Sequence, residues 1–226
     1  MSCKFDYKIN YSKRKSVLIS INDMGEVLVK APLNIDINEV EKILVKKEDW
    51  ITNKINEVSN RRRLSKDTIL YLGEEKKVSV NIQKYLKREF VMYYNDEFVV
   101  NVRDVDNVVS IMKKYLSNQC HSIVKDKINK FQKYFMIKPL DIKVKDVKTK
   151  WGSCSYDNKI VINYRLVMAK EEIIEYVVVH EMCHMIHKNH SKDYWNLVEK
   201  IYPNYKSCNM WLKENAYLLQ LLHLQP

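Results

Sequence analysis

Alternating apolar and polar residues near the amino terminus predict a β-hairpin. From Lys15 to Lys30 the chain reads K-S-V-L-I-S-I-N-D-M-G-E-V-L-V-K, a period-two pattern that is broken at Asn22–Gly25. Alternation of this kind indicates strands, and a polar, glycine-containing break indicates a turn. After Pro32, apolar residues recur at helical spacing from Ile37 to Val58. We predict two short helices there.

The middle of the chain predicts further strands and then one long helix. Strand character returns over Thr68–Val102, where Val78, Val80 and Ile82 alternate. The pattern over Val105–Met136 predicts a helix that ends before Pro139. Beyond it, alternating residues indicate a strand that leads towards Trp151, namely Ile142, Val144 and Val147.

A strongly apolar segment in the last third predicts a buried helix. Its apolar side chains leave almost no polar face: Ile173, Ile174, Tyr176, Val177, Val178, Val179, Met182, Cys183, Met185 and Ile186. Glu171 and Glu172 in the first turn suit the positive end of the helix dipole. Histidines and a glutamate within such a segment need a partner, because burying them unpaired costs several kcal/mol.

The same helix carries a candidate metal site. Four of the six histidines lie within the eleven residues from His180 to His190. His180 and His184 are four residues apart, so their imidazoles project from one helix face. In an H-E-x-x-H motif the two histidines bind zinc, and the glutamate, here Glu181, takes a proton from the water that the zinc activates.

A catalytic zinc site with one open position needs a third protein ligand. His190 follows His184 by six residues, which lets the chain leave the helix and return from another direction. His187 is the rival candidate, but it lies on nearly the same helix face as His184, where it would crowd the metal. We therefore predict His180, His184 and His190 as ligands of one Zn²⁺, or another divalent ion, with His187 as a partner or surface residue.

Further motifs resemble a known family. The spacing of the three histidines resembles that of metzincins, although His187 replaces the glycine of that group. A closer resemblance, to the YgjP-like metallopeptidase domain family, rests on W-G-S-C-S at Trp151–Ser155, K-I-V-I-N-Y-R-L at Lys159–Leu166 and V-V-H-E-M-C-H with N-H-S-K-D-Y-W. Related spacing occurs in SprT-type and WLM-type proteases. Weaker matches lie upstream, at Met24–Pro32, Lys46–Ile51 and Tyr71–Gly73.

The resemblance implies an α+β fold with a zincin-like catalytic core. Such a core combines the edge strand of a mixed sheet with the H-E-x-x-H helix, and a β-rich amino-terminal region precedes it. We place this region at residues 1–103 and the core at 104–226. The family implies His180, His184 and His190 as ligands and Glu181 as base. Its members are described as metal-dependent hydrolases or peptidases, and one description assigns a nucleoside triphosphate pyrophosphatase activity.

Several residues around the motif leave alternatives open. The strand Lys159–Asn163 either pairs with an extended peptide substrate at a sheet edge or lies inside the sheet. Gly152, one of three glycines, predicts a turn or a close backbone approach. Cys154 either packs beneath the site or faces substrate. The group that stabilises the oxyanion is undetermined among Tyr164, Arg165, Tyr194 and Tyr205, and the apolar residues after His190, with Tyr194 and Trp195, are interpreted as core.

Charge is distributed unevenly. With 39 basic and 28 acidic residues the 226-residue chain carries a formal net charge of +11. Trp151–Pro226 holds eight of each sign, whereas Asp104–Lys150 holds eleven lysines against five aspartates, and Arg61–Arg63 form a cluster. This basic upstream face suits a nucleotide or nucleic acid. A lysine-rich solvated face is favoured, because aromatic residues are not interleaved with the clusters.

Composition indicates a globular protein outside the membrane. The hydrophobic fraction of 46% is ample for a core, and no apolar run reaches the roughly 18 residues of a membrane span. The start lacks a secretory signal, and five scattered cysteines do not resemble a disulfide framework, so we expect a cytoplasmic protein. We predict a zinc-dependent hydrolase acting on peptides or proteins, with a nucleoside triphosphate pyrophosphatase or a nucleic-acid-associated protease or binding module as alternatives.

Overall fold

The computed structural model describes residues 4–22, 24–60 and 64–219. The chain divides into two compact units, Met1–Arg63 and Leu64–Pro226. The arginine cluster predicted as part of a basic face, Arg61–Arg63, lies outside the described residues.

The first unit is a three-stranded sheet with two helices. Its elements are β1 (Tyr7–Ser12), β2 (Leu18–Ile21), β3 (Val27–Pro32), α1 (Ile37–Lys46) and α2 (Glu48–Ser59). The strand order is β1-β3-β2, with β1 parallel and β2 antiparallel to β3. The predicted hairpin and the two short helices are confirmed. Their apolar faces form one core: Val27, Val29, Ala31, Val40, Leu44 and Ile51.

The second unit begins with a four-stranded sheet. Its strands are β4 (Thr68–Tyr71), β5 (Glu74–Ile82), β6 (Phe90–Tyr94) and β7 (Glu97–Val102), in the order β4-β5-β7-β6. The predicted long helix follows as α3 (Val108–Phe131). It buries residues at steps of three and four, namely Val108, Met112, Leu116, Cys120, Val124, Ile128 and Phe131. These side chains share a hydrophobic core with those of β7.

A second, mixed sheet follows α3. Its strands are β8 (Asp141–Lys145), β9 (Gly152–Cys154) and β10 (Lys159–Asn163), and three helices come after it, α4 (Glu171–Cys183), α5 (Lys192–Ile201) and α6 (Tyr205–Asn215). The strand order is β8-β10-β9, with β8 parallel and β9 antiparallel to β10. The predicted α+β class is confirmed, with a mixed sheet accompanying the motif helix α4.

The predicted domain boundary between residues 103 and 104 falls inside the second unit. One hydrophobic core joins buried side chains on both sides of it, such as Val100 with Met112 and Val178. The turn after β4 also contacts the segment before α4, since the backbone N–H of Leu72 donates to the carbonyl of Val167 at 2.9 Å. Strands β4–β7 therefore belong to the same unit as the motif helix.

Within the part of the chain that the structure describes, every helix is too short or too polar to cross a membrane. The described cysteines, Cys120, Cys154, Cys183 and Cys208, are free thiols.

Candidate active site

The structure brings the three predicted ligands together. His180 lies on α4, His184 directly follows that helix in helical conformation, and His190 lies in the loop before α5. Nε2 of His190 is 3.1 Å from Nε2 of His184 and 3.3 Å from Nε2 of His180. Two nitrogens bound to a tetrahedral zinc ion are about 3.3 Å apart, because each zinc–nitrogen bond is about 2.0–2.1 Å long. The spacing fits a single divalent cation.

A backbone hydrogen bond selects the tautomer of His184. Its Nδ1–H donates to the carbonyl oxygen of His187 at 3.0 Å. The lone pair of Nε2 is therefore left to face the other imidazoles, as a metal ligand requires. The imidazole of His187 is not part of the cluster of three. His187 contributes its backbone carbonyl, a role that agrees with its predicted place as a partner residue.

Burial favours the neutral form of the imidazoles of His180 and His184. It lowers the pKa of His180 to about 3, with smaller contributions from His184 and His190. Burial also lowers the pKa of His184. Nδ1 of His180 is buried and has no hydrogen-bond partner among the described residues. Neutral imidazole is the form that binds metals, so the donor set fits a divalent cation chemically as well as geometrically.

Aromatic side chains of α5 hold the histidines in place. Tyr194 is fully buried, its ring stacks on His184 with centroids 4.5 Å apart, and its hydroxyl donates to the carbonyl oxygen of His180 at 3.0 Å. The ring of Trp195 stacks on His190 at 5.4 Å. The sequence interpretation of these residues as core missed their contact with the site. The signal was their position, four and five residues after His190.

Glu181 and Gly152 lie in close contact. The Glu181 side chain is only 3% exposed. A Cβ added at Gly152 would lie 2.5 Å from Oε1 and 2.7 Å from Cγ of Glu181. The predicted close backbone approach at Gly152 is thus confirmed. Burial raises the pKa of the Glu181 carboxyl to about 8, although the positive charge of Lys150 opposes this rise.

The three histidines and Glu181 line a cavity of about 490 Å³. Its other walls come from the segment 150–154, from α4 and from α6, and include Lys150, Cys154, Tyr176, Lys188 and Asn209. The half-buried Cys154 lines this cavity and also packs against the hydrophobic core, so both alternatives for this residue stay open.

The residues considered for the oxyanion do not line the cavity. Tyr164, Tyr194 and Tyr205 are buried, and Arg165 forms an ion pair with Asp146 at 3.2 Å. The four are not among the residues that line the cavity. Polar side chains that do line it, Tyr176 and Asn209, were not singled out from the sequence. Tyr176 lies one helical turn before His180 on α4, with ring centroids 5.9 Å apart, and this four-residue spacing was the available signal. Asn209 has no such signal, since it reaches the cavity only when α6 packs against α4.

Strand β9, not β10, forms the sheet edge beside the cavity. The backbone N–H of Asn163 donates to the carbonyl of Trp151 at 2.8 Å, and that of Ser155 donates to the carbonyl of Lys159 at 2.9 Å. In an antiparallel pair, the backbone N–H and C=O groups of successive residues point alternately towards the partner strand and away from it. Those of Ser153 therefore point towards β10, and those of Gly152 and Cys154 point away from it. Of the two alternatives for Lys159–Asn163, the structure shows the interior strand.

Two solved structures are similar to part of this chain. A comparison with curated proteins gives no match. Among solved structures, the metallopeptidase zymogen abylysin of Pyrococcus abyssi is 20% identical, with 40% of this chain and 93% of that chain covered and a TM-score of 0.36. The metallopeptidase zymogen jannalysin of Methanocaldococcus jannaschii is 21% identical, with 41% of this chain and 96% of that chain covered and a TM-score of 0.38.

A family model gives the decisive match. The model described as YgjP-like, metallopeptidase domain, covers residues 15–215, which include strands β2–β10 and the histidine cluster described above. The chain therefore belongs to the YgjP-like metallopeptidase domain family and is a metal-dependent hydrolase.

Proposed function

We propose that this protein is a zinc-dependent peptidase in which His180, His184 and His190 bind one ion and Glu181 is the general base. The observation that carries the proposal is the convergence of three Nε2 atoms, 3.1 and 3.3 Å apart, beside a buried carboxylate on the wall of an open cavity. Three protein ligands leave one tetrahedral position for chemistry, whereas structural zinc sites are normally closed by four.

The chain supplies a donor set that zinc favours. Imidazole nitrogens suit Zn²⁺, and also other divalent transition metals. A cation bound there supplies Lewis acidity, which lowers the pKa of water and polarises a carbonyl group. The hydrogen bond from His184 to the His187 carbonyl and the stacking of Tyr194 on His184 fix the orientation of the His184 imidazole.

Glu181 would transfer the proton. Its carboxylate accepts a proton from the attacking water and then gives it to the leaving amine, so that one residue serves as base and acid in turn. Contact with the backbone of Gly152 restricts where the carboxylate can lie. Asn209 and Tyr176 are our candidates for hydrogen bonding to the oxyanion, because both line the same cavity.

Strand β9 would align the substrate. Its outward-facing N–H and C=O groups at Gly152 and Cys154 can pair with an extended peptide by strand addition. This pairing would place the peptide backbone along the cavity wall that faces Glu181 and the histidines.

A second candidate is hydrolysis of nucleoside triphosphates. Lys150 and Lys188 line the cavity, and in the described part of the chain neither forms an ion pair with an acidic side chain. Nζ of Lys188 donates instead to Oδ1 of Asn158 at 2.6 Å and to the carbonyl of Ser155 at 3.2 Å. Two uncompensated cations suit an anionic substrate.

Parallel screening separates these candidates. The purified protein is analysed for bound metal and then tested on peptide and nucleotide libraries, before and after removal of metal by a chelator and after its restoration. The peptidase proposal expects peptide cleavage that disappears with the chelator and returns with zinc. Release of pyrophosphate from nucleotides without peptide cleavage would replace it with the second candidate.

A further inference from the structure

The four-stranded sheet has an outer face with exposed apolar side chains. Along β6, Val91 and Tyr93 pack against the core, whereas Phe90, Met92 and Tyr94 point outward and are 39%, 47% and 67% exposed. On β7, the cross-strand partner of Met92 is the partly buried Val99, whereas the partner of Phe90, Asn101, is buried. Soluble proteins rarely leave such a row uncovered unless it binds something.

A basic loop borders this row. The loop of residues 83–88 connects β5 to β6 and contains Tyr85, which is 98% exposed. Lys84, Tyr85, Lys87 and Arg88 line one shallow depression together with Phe90. Aromatic rings and cations are thus interleaved here.

The cations of this loop are not neutralised by acidic neighbours. Across the described residues, Lys84, Lys87 and Arg88 form no ion pair. The acidic residue of the segment, Glu89, accepts hydrogen bonds from the backbone N–H of Arg103 at 2.8 Å and from Nδ2 of Asn107 at 2.9 Å. Its carboxylate keeps its negative charge, but the three cations Lys84, Lys87 and Arg88 outnumber it, so this segment is net positive.

We propose that the loop 83–88 and the outer face of β6 form a binding surface for single-stranded nucleic acid. Exposed rings provide stacking surfaces for unpaired bases, and adjacent cations contact phosphates. Tyr85 and Phe90 are the stacking residues, and Lys84, Lys87 and Arg88 are the phosphate contacts. A duplex keeps its bases stacked inside, so it would use the charges but not the rings.

The surface is separate from the catalytic cavity. The two depressions share no lining residue. Binding of a nucleic acid at the loop therefore leaves the histidines and Glu181 accessible. The inference does not depend on the peptidase proposal, and either can fail alone.

Fluorescence anisotropy tests the surface directly. Full-length protein is titrated into labelled single-stranded DNA and RNA of about 12 nucleotides and into the matched duplex, at about 50 and about 200 mM salt. We expect saturable single-strand binding that weakens at the higher salt. Tyr85→Ala should weaken it about 5-fold or more at either salt, because one base loses its stacking partner. Lys84→Glu with Lys87→Glu should weaken it further and reduce the salt dependence.

A matched control tests whether binding depends on the charges of this loop or only on the net positive charge of the protein. Lys114→Glu with Lys125→Glu makes the same charge change at exposed positions of α3, and should alter affinity less than about 3-fold. Thermal unfolding and metal content confirm that each variant is folded. Equal losses in the loop and helix variants, preference for the duplex, or an unchanged affinity in Tyr85→Ala would overturn the proposal. So would binding to phosphatidylserine vesicles without binding to either single strand.

Discussion

The carboxylate of Glu181 lies against the backbone of Gly152, so that a Cβ at residue 152 would be 2.5 Å from Oε1 and 2.8 Å from Cδ. This contact joins the edge strand β9 to the motif helix α4. Gly152 pairs with Ile162 in an extended strand, so glycine is needed here for space, not for an unusual backbone angle. The side chain proposed as the general base and the strand proposed to align substrate are therefore held at a fixed distance.

Replacing Gly152 by alanine should separate catalysis from metal binding. The new methyl group must displace the Glu181 carboxylate, and a misplacement of about 1 Å can lower a rate by about 100-fold. The three atoms nearest to the added Cβ all belong to Glu181 and none to a histidine, so zinc content should be unchanged. The measurement is kcat/KM on a validated peptide, with metal analysis of the same sample. Activity close to that of the wild type would show that the contact has no catalytic importance.

Alanine variants of the two competing histidines should differ in metal affinity. His190 offers Nε2 to the cluster, whereas His187 offers a backbone carbonyl that alanine keeps. His190→Ala should lose more than the roughly 10- to 100-fold in affinity that follows loss of an outer partner, and His187→Ala should lose much less. Competition with a chromophoric zinc chelator gives both values. The reverse order would make His187 the third ligand.

The ion pairs between α3 and α4 should make stability depend on pH. Oε1 of Glu175 accepts from Nζ of Lys130 at 2.6 Å and from Nζ of Lys127 at 2.9 Å. Burial alone would raise the pKa of the Glu175 carboxyl, but these two hydrogen bonds outweigh it and hold the pKa below its usual value. A lowered folded-state pKa stabilises the fold at neutral pH and ceases to do so as the pH falls through that pKa.

Glu175→Gln should therefore lower the free energy of unfolding by about 1–2 kcal/mol at pH 7, and the difference should shrink below about pH 4. Urea unfolding of the variant and the wild type, at pH 7 and below about pH 4, measures this difference in the free energy of unfolding. Glu171→Gln is the control, because this carboxylate pairs with Lys127 but is 59% exposed, and exposed pairs contribute about 0–1 kcal/mol. A Glu175→Gln difference that persists unchanged in acid would contradict the pKa assignment.

Local patterns in the sequence predicted most elements and the histidine cluster. Period-two and helical spacing identified the hairpin, the helix pair and α3, because these patterns depend on which face of one element is buried. The H-E-x-x-H spacing predicted that His180 and His184 converge, since both lie on one helical segment. The motif helix ends at Cys183, earlier than its apolar pattern suggests, because the chain must turn there to bring His190 back.

Features that depend on pairing between distant segments could not be predicted from local patterns in the sequence. Whether β10 lies inside the sheet or at its edge depends on β9 pairing with it, which alternation within one strand does not reveal. The boundary after β7 rested on the family resemblance, which implies a β-rich amino-terminal region before the catalytic core. Their core is completed by α3 and α4. Asn209 reaches the cavity through helix packing that no short motif encodes.

The most direct test of the central claim is peptide cleavage by Glu181→Gln compared with the wild type, with zinc measured in both samples. The amide cannot accept the proton, while the histidine ligands are unchanged, so we predict equal zinc content and a kcat that is about 100- to 10,000-fold lower. Full activity in the variant, or a wild type that cleaves peptides equally well without metal, would contradict the proposed mechanism.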